Sequence, residues 1–266
     1  MQWSDEGIVL GARAHGESNV ILELMTREHG RHLGIVHGGR SKRLRPVLQP
    51  GNSVAATWRA RLDEHIGQYV VEADTLRSAR LLGSPMALYG IGTLALHLRL
   101  LPERDPHPGL HAAAAFLLDH MDEAALAPAL FIRFELMLLA ELGYGLDLTS
   151  CAATGEVDDL VYVSPKSGRA VSRAAGAPYG DRLFRLPAFL RGGEAELPHP
   201  DEGEISAGFR LTGFFLEAHL WAPQGRTAPD ERGRFVAQAT EATRNKPGPA
   251  IVAPEPAGDS ARDGTP

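Results

Sequence analysis

The sequence predicts an α+β fold: a small N-terminal β-barrel, then an all-helical domain carrying an irregular, hairpin-bearing insertion. Three observations carry that prediction. Apolar residues recur with a period of two, broken by glycine turns, up to about residue 76. The period changes to about 3.6 from residue 84. Residues 150–200 are punctuated throughout by glycine and proline. A length of 266 residues suits about two domains. The change of period divides them into a barrel over 1–82 and a helical domain over 83–242. A tail over 243–266, rich in Pro, Gly, Ala and charge, is expected to be disordered.

The first strand runs from Gly7 to His15, and Gly16-Glu17-Ser18-Asn19 makes a polar turn. In the second, Val20, Leu22 and Leu24 alternate with Ile21, Glu23 and Met25. Glu28-His29-Gly30 turns the chain into a third strand, His32 to His37, which ends at Gly38-Gly39. The clearest alternation spans 54–62, with Val54, Ala56, Trp58, Ala60 and Leu62 on one face and Ala55, Thr57, Arg59 and Arg61 on the other. Ile66 to Ala73 supplies a fifth strand, with Tyr69 and Val71 on one face. A polar segment compatible with a helix, Ser41 to Gln49, separates the third and fourth strands. Five strands in this order fit a closed barrel of the oligonucleotide-binding, or OB, layout.

Ser84-Pro85 is an N-cap followed by proline at the first helical position, and Pro102 stops the helix. Its expected stripe is Leu88, Ile91, Leu94 or Ala95, Leu98 and Leu101. A second helix is expected over 107–122, with Leu110, Ala114, Leu117 and Met121 inward. A third, Pro128 to Leu142, is apolar nearly all round except for Arg133, Glu135 and Glu141, which makes it the central one. Gly143 is placed as its C-terminal stop. A hairpin is expected at 160–172, and helical pattern returns at Ile205, Phe209, Thr212, Leu216 and Leu220, then more weakly over 229–242.

Composition narrows the chemistry. A single cysteine excludes an internal disulfide framework and any all-cysteine zinc site, and suits a reducing cytosol. No apolar run is long enough for a membrane-spanning helix, and MQWSDEGIVL is acidic before it is apolar, the reverse of a secretory signal. Phosphate-loop, G-x-S-x-G and H-E-x-x-H patterns are absent, so neither a nucleotide-driven motor nor a familiar hydrolase is expected. His29 with His32, and His107 with His111, have metal-ligand spacing but no convincing companion ligand. Trp3, Trp58, Tyr69 and Tyr89 are candidates for stacking on bases, although Trp58 shares the apolar face of its strand and belongs to the barrel core.

The net charge of −6 argues on average against a nucleic-acid partner, but the average conceals a division. Residues 1–80 hold 11 Lys and Arg against 9 Asp and Glu, whereas the remainder holds 16 against 24. Arg27, Arg31, Arg40, Lys42, Arg43 and Arg45 fall within 27–45, opposed there by Glu28 alone. Such a local field attracts phosphates even on an acidic protein. With Arg59 and Arg61 on the outer face of the fourth strand, these eight side chains are the expected DNA-binding residues.

The barrel residues Gly7-Ile8-Val9-Leu10, Gly16-Glu17-Ser18-Asn19, Thr26-Arg27-Glu28-His29-Gly30, Gly38-Gly39-Arg40-Ser41 and Leu48-Gln49-Pro50-Gly51 resemble the RecO family of bacterial DNA repair proteins. Phe134-Glu135 and Ala140-Glu141-Leu142-Gly143-Tyr144 resemble the same family's helix-end motif. The resemblance covers roughly 1–80 and 128–172, with weaker helical similarity to about 240. It implies an OB barrel joined to a helical domain, and a recombination mediator without catalysis or cofactor. Such proteins bind single- and double-stranded DNA and anneal complementary strands. With RecR they help load RecA onto DNA coated by single-strand-binding protein, SSB, whose C-terminal tail is a further partner. A cytoplasmic, nucleoid-associated location follows, with no membrane partner. Arg99 and Arg133 are candidate rims of an apolar groove for the SSB tail.

Many relatives hold zinc through two C-x-x-C pairs. The corresponding positions here are Cys151 and Thr154, then Ser172 and Ala175, so three of four sulfur ligands are missing and no metal is expected. The hairpin is expected to rely on its own packing through Leu160, Tyr162 and Val171. Two other readings stand beside this one. The same basic surface suits an RNA- or ribosome-associated OB protein, and Asp158-Asp159 is the carboxylate pair that a metal-dependent nuclease would use.

Overall fold

A computed structural model describes residues 1–62, 64–191, 200–225 and 227–245. Five strands, β1 (Gln2–His15), β2 (Asn19–Thr26), β3 (Gly30–Val36), β4 (Ser53–Arg59) and β5 (Gln68–Thr75), close into a barrel in the order β1-β2-β3-β5-β4. β3 and β5 are parallel and meet only at Ile35–Gln68 and Val36–Tyr69; the other ladders are antiparallel. β1 serves two partners because a bulge between Val9 and Gly11 bends it, its first half pairing with β4 and its second with β2. Val9, Val20, Leu22, Leu24, Val36, Val54, Ala56, Trp58, Tyr69 and Val71 fill the interior. β4 is shorter than its alternation suggests: it ends at Arg59, and Leu62 lies exposed in the bend that follows.

A single helical turn, α1 (Ser78–Leu81), links the barrel to α2 (Pro85–Leu98), α3 (Pro108–Asp119) and α4 (Ala127–Glu141). Ser84 caps α2 by accepting from the Ala87 amide at 3.2 Å, with Pro85 at the first position. The face α2 buries is Met86, Ala87, Gly90, Ile91, Leu94, Ala95 and Leu98, whereas Leu88 is exposed, one step outside that stripe. α4 stops at Gly143, whose φ of 85° lets the Tyr144 amide bond back to the Leu139 carbonyl at 2.7 Å.

The irregular stretch holds a three-stranded sheet, β7-β6-β8, made of β6 (Leu160–Val163), β7 (Ala170–Ser172) and β8 (Phe184–Arg185), with the short α5 (Arg173–Gly176) after β7. Two helices complete the body, α6 (Glu202–Leu216) and α7 (Asp230–Arg244), and α7 packs on α2. The tail expectation beyond residue 245 lies outside the described residues. Among the described residues no helix is long and apolar enough to cross a membrane.

The main core takes Ile8, Leu10 and Met25 from the barrel as well as the helices' apolar faces, so the two parts are packed together. At its centre Glu135 of α4 is fully buried and ionised. Burial works against the carboxylate but is outweighed by the Arg232 charge and by hydrogen bonds, which hold its pKa at about 2. Arg232 of α7 reaches both carboxylate oxygens at 2.8 and 2.9 Å, Thr212 of α6 donates to one at 2.5 Å, and His97 of α2 lies 3.1 Å away. One carboxylate thus ties four helices together.

Candidate nucleic-acid interface

The segment that joins β3 to β4 leaves the barrel at Val36 and returns at Asn52. Gly39 is required there: a Cβ would stand 2.5 Å from the Val20 side chain. The Arg40 amide donates to the Ser18 carbonyl at 3.0 Å and its guanidinium to the Glu17 carbonyl at 2.9 Å, which ties the loop to the β1–β2 turn. Residues 41–49 form successive turns, with Arg45 N–Ser41 O and Leu48 N–Leu44 O bonds of 3.0 Å, rather than a regular helix. Pro46 explains this, since it lacks an amide and constrains Arg45 before it. Leu44, Val47 and Leu48 turn inward onto the barrel core, and Lys42, Arg43 and Arg45 are left outside.

Asn52 fixes the return. Fully buried, it donates to the Pro46 and Val47 carbonyls at 2.9 and 3.1 Å and accepts from the Arg77 and Ser78 amides at 2.8 and 2.9 Å. Arg77 in turn bonds Ser53 at 2.8 Å and Asp119 of α3 at 2.6 Å. The basic loop is therefore pinned to the junction of barrel and helical body. Neither Asn52 nor Arg77 stands out in the sequence; the only signal is the Gln-Pro-Gly-Asn turn itself.

The eight expected cations divide. Lys42, Arg43, Arg45, Arg59 and Arg61 are exposed and have no carboxylate partner among the described residues, and Arg40 bonds only backbone carbonyls. These six flank the C-terminal end of β3. Arg59 and Arg61 line a cavity of about 440 Å³ with Ile35 and Gln68, and the Ile35 amide bonds Gly67 of the β4–β5 loop at 3.0 Å. Arg27 sits at the other end of β3, roughly 20 Å away, and pairs with Glu28 at 3.2 Å.

Arg31 departs from the expectation. Its side chain is 15% exposed and bonds Glu23 at 3.0 Å and Glu103 at 3.2 Å. The loop after α2 lies along the edge of β3, with Arg104 N–Arg31 O at 2.9 Å, and a Cβ on Gly30 would meet the Asp105 carbonyl at 2.1 Å. Arg31 thus fastens helical body to barrel, and its charge is neutralised.

Elsewhere seven arginines are committed to carboxylates: Arg77 to Asp119, Arg80 to Asp122, Arg99 to Glu23, Arg169 to Asp147, Arg173 to Asp159, Arg232 to Glu135 and Arg244 to Glu202. Of the two groove-rim candidates, Arg99 also donates to the Leu10 carbonyl freed by the β1 bulge, and Arg133 donates to the Phe189 carbonyl at 2.5 Å. The aromatic candidates are occupied as well. Trp58 and Tyr69 lie inside the barrel, Trp3 stacks on His29 at 4.0 Å, and Tyr89 packs under Arg234. His29 bonds Asp5 at 2.9 Å and His107 bonds Glu141 at 3.2 Å.

The four positions that the family resemblance marks as zinc ligands do not fit the metal here. Cys151 is buried, and its sulfur accepts from the Ser172 amide at 3.3 Å and lies 3.5 Å from the Ser172 hydroxyl. Hydroxyls and a methyl in place of three thiolates give no tetrahedral sulfur donor set, and hydrogen bonds join the 151–155 turn to β7 instead. Among the described residues no group of three or more His, Cys, Asp or Glu is placed to hold a metal ion.

Comparison with known proteins assigns both halves. The family model for the recombination protein O N-terminal part matches residues 1–79, and that for its C-terminal part matches 87–227. The DNA repair protein RecO of Methylorubrum populi is 60% identical over 245 residues, covering 90% of this chain and 99% of its own. That of Methylobacterium nodulans is 59% identical over 244 residues (90% and 98%), and that of Rhodopseudomonas palustris 58% over 243 (91% and 97%).

Proposed function

The chain belongs to the recombination protein O, or RecO, family of DNA repair proteins, and on that premise we propose that it is a non-catalytic mediator that holds DNA on its barrel and anneals complementary strands. The observation that carries this reading is the concentration of uncommitted positive charge. Arg40, Lys42, Arg43, Arg45, Arg59 and Arg61 flank one end of β3 without a carboxylate partner among the described residues, while nine other arginines pair with carboxylates. Exposed cations on a pinned loop neutralise phosphates and release counterions without reading bases. Two strands held on such a surface repel each other less, and their base edges remain free to pair. Arg27 and Arg31 are not part of the proposed surface.

The helical body, acidic overall, is proposed to receive the protein partners, RecR and the C-terminal tail of SSB, as a step in loading RecA. Exposed Phe116, Met137 and Phe214 supply apolar surface of the kind such contacts use. A cytoplasmic, nucleoid-associated location accompanies this role. The test is pairing of complementary strands coated with cognate SSB, in the absence of nucleotide. Acceleration by the wild-type chain, lost when Arg40, Lys42, Arg43 and Arg45 are neutralised, is the expected result. No acceleration overturns the proposal, tighter binding to structured RNA than to single-stranded DNA replaces it with an RNA-binding role, and magnesium-dependent strand cleavage replaces it with nuclease activity.

A further inference from the structure

Beside the basic loop lies a cavity of about 420 Å³ lined by Ala12 and Ala14 of β1, Val20 of β2, and Gly39, Arg40, Arg45, Leu48 and Gln49 of the loop. Its volume falls in the usual range for small-ligand sites, roughly 300–1,000 Å³. We propose that this cavity is a subsite for one unstacked nucleotide of a single strand, its base against the Ala12, Ala14, Val20 and Leu48 wall and its phosphate beside Arg40 and Arg45. This deepens the proposed function and rests on it.

The walls suit the two halves of a nucleotide. Ala12 and Ala14 are exposed and leave room that larger side chains would occupy, with the almost wholly buried Val20 and Leu48 behind them. Gly39 is held against Val20, so the loop cannot carry a side chain into that space. Arg40 is oriented by the Glu17 and Gly16 carbonyls at 2.9 and 3.5 Å, and a preoriented guanidinium loses little freedom on taking a phosphate. Arg45 makes no side-chain hydrogen bond or ion pair among the described residues. Gln49 is braced by its amide nitrogen on the Arg45 carbonyl at 2.8 Å, which sets its orientation on the same wall.

A paired base in a duplex presents only its edge and cannot enter such a cavity without leaving the stack. The site therefore distinguishes single strands from duplexes, whereas the exposed cations around it do not. Gripping one nucleotide at intervals leaves the neighbouring bases open to a complementary strand.

The experiment compares an oligothymidine with a duplex of the same length on the full chain. Ala14→Phe and, separately, Ala12→Leu fill the cavity without altering charge; Arg40→Gln with Arg45→Gln removes the charge. Filling is expected to weaken single-strand binding about tenfold, the order of one lost base contact, and to leave duplex binding within about twofold. The arginine pair is expected to weaken both. Equal loss on both substrates from filling, or no loss on either while the arginine pair still weakens both, overturns the nucleotide subsite and leaves the barrel-surface reading standing. If the arginine pair also leaves binding unchanged, that reading falls too.

Discussion

Replacing Glu135 by Gln tests the helical body at its centre. The substitution keeps the shape and removes the charge, so Arg232, itself buried, is left without its counter-ion. Breaking one partner of a buried, hydrogen-bonded pair costs about 3–5 kcal/mol. Linkage gives a second figure. The Glu135 pKa falls from 4.5 to about 2 on folding, which corresponds to about 3 kcal/mol of stability. Because the folded value is depressed, that contribution is complete above pH 4.5 and is lost as the pH falls towards 2. Urea unfolding of wild type and Glu135→Gln at pH 7 should show a gap of about 3 kcal/mol or more. Repeating the pair at lower pH should show the gap narrowing through that window, because only the wild type carries the titrating group. The paired change Glu135→Leu with Arg232→Met should recover much of the loss, since no uncompensated charge remains. A gap under about 1 kcal/mol at pH 7, or one that does not change with pH, would refute the assignment of Glu135 as the ionised hub.

Asn52→Ala should lower unfolding stability by about 2–4 kcal/mol, because the Arg77 and Ser78 amides lose their buried acceptor; a change below 1 kcal/mol would remove Asn52 as the pin of the basic loop. Tyr69→Phe should be neutral or slightly stabilising in the same assay, because the buried hydroxyl has no partner among the described residues, and a clear loss would reveal one. Arg31→Gln should leave the salt dependence of DNA binding unchanged while Arg43→Gln reduces its slope by about 0.7–0.9; equal effects would return Arg31 to the binding surface. Thermal unfolding should be unaffected by a strong chelator, because Cys151, Thr154, Ser172 and Ala175 do not form a metal site; a lowered midpoint would show a structural metal.

The barrel was legible because its signal is local. Alternation at 20–25 and 54–59, with glycines where positive φ is needed, marks β2 to β5 within a few residues of their observed limits, whereas β1 begins at Gln2 rather than at the expected Gly7. The helix boundaries at Ser84-Pro85 and Gly143 were legible for the same reason. What escaped depends on residues far apart in the chain. Arg31 reads as one more cation in a basic run, and of its two neutralisers Glu23 lies on the neighbouring strand and Glu103 stands 72 residues away. Glu135 reads as a polar exception on a buried helix, and Arg232 follows 97 residues later. Periodicity placed Leu88 on the wrong side of its stripe because α2 turns its buried face towards α7, a choice made by tertiary packing.

The same distinction separates the candidate site into charge that composition reveals and charge that remains available after folding. The measurement that tests this most directly is the slope of log K against log salt for single-stranded DNA, for the wild type and for the variant with Arg40, Lys42, Arg43 and Arg45 all replaced by glutamine. Loss of four phosphate contacts should reduce the slope by about 3 and weaken binding most at low salt. An unchanged slope with unchanged affinity would show that the barrel's uncommitted cations are not where DNA binds.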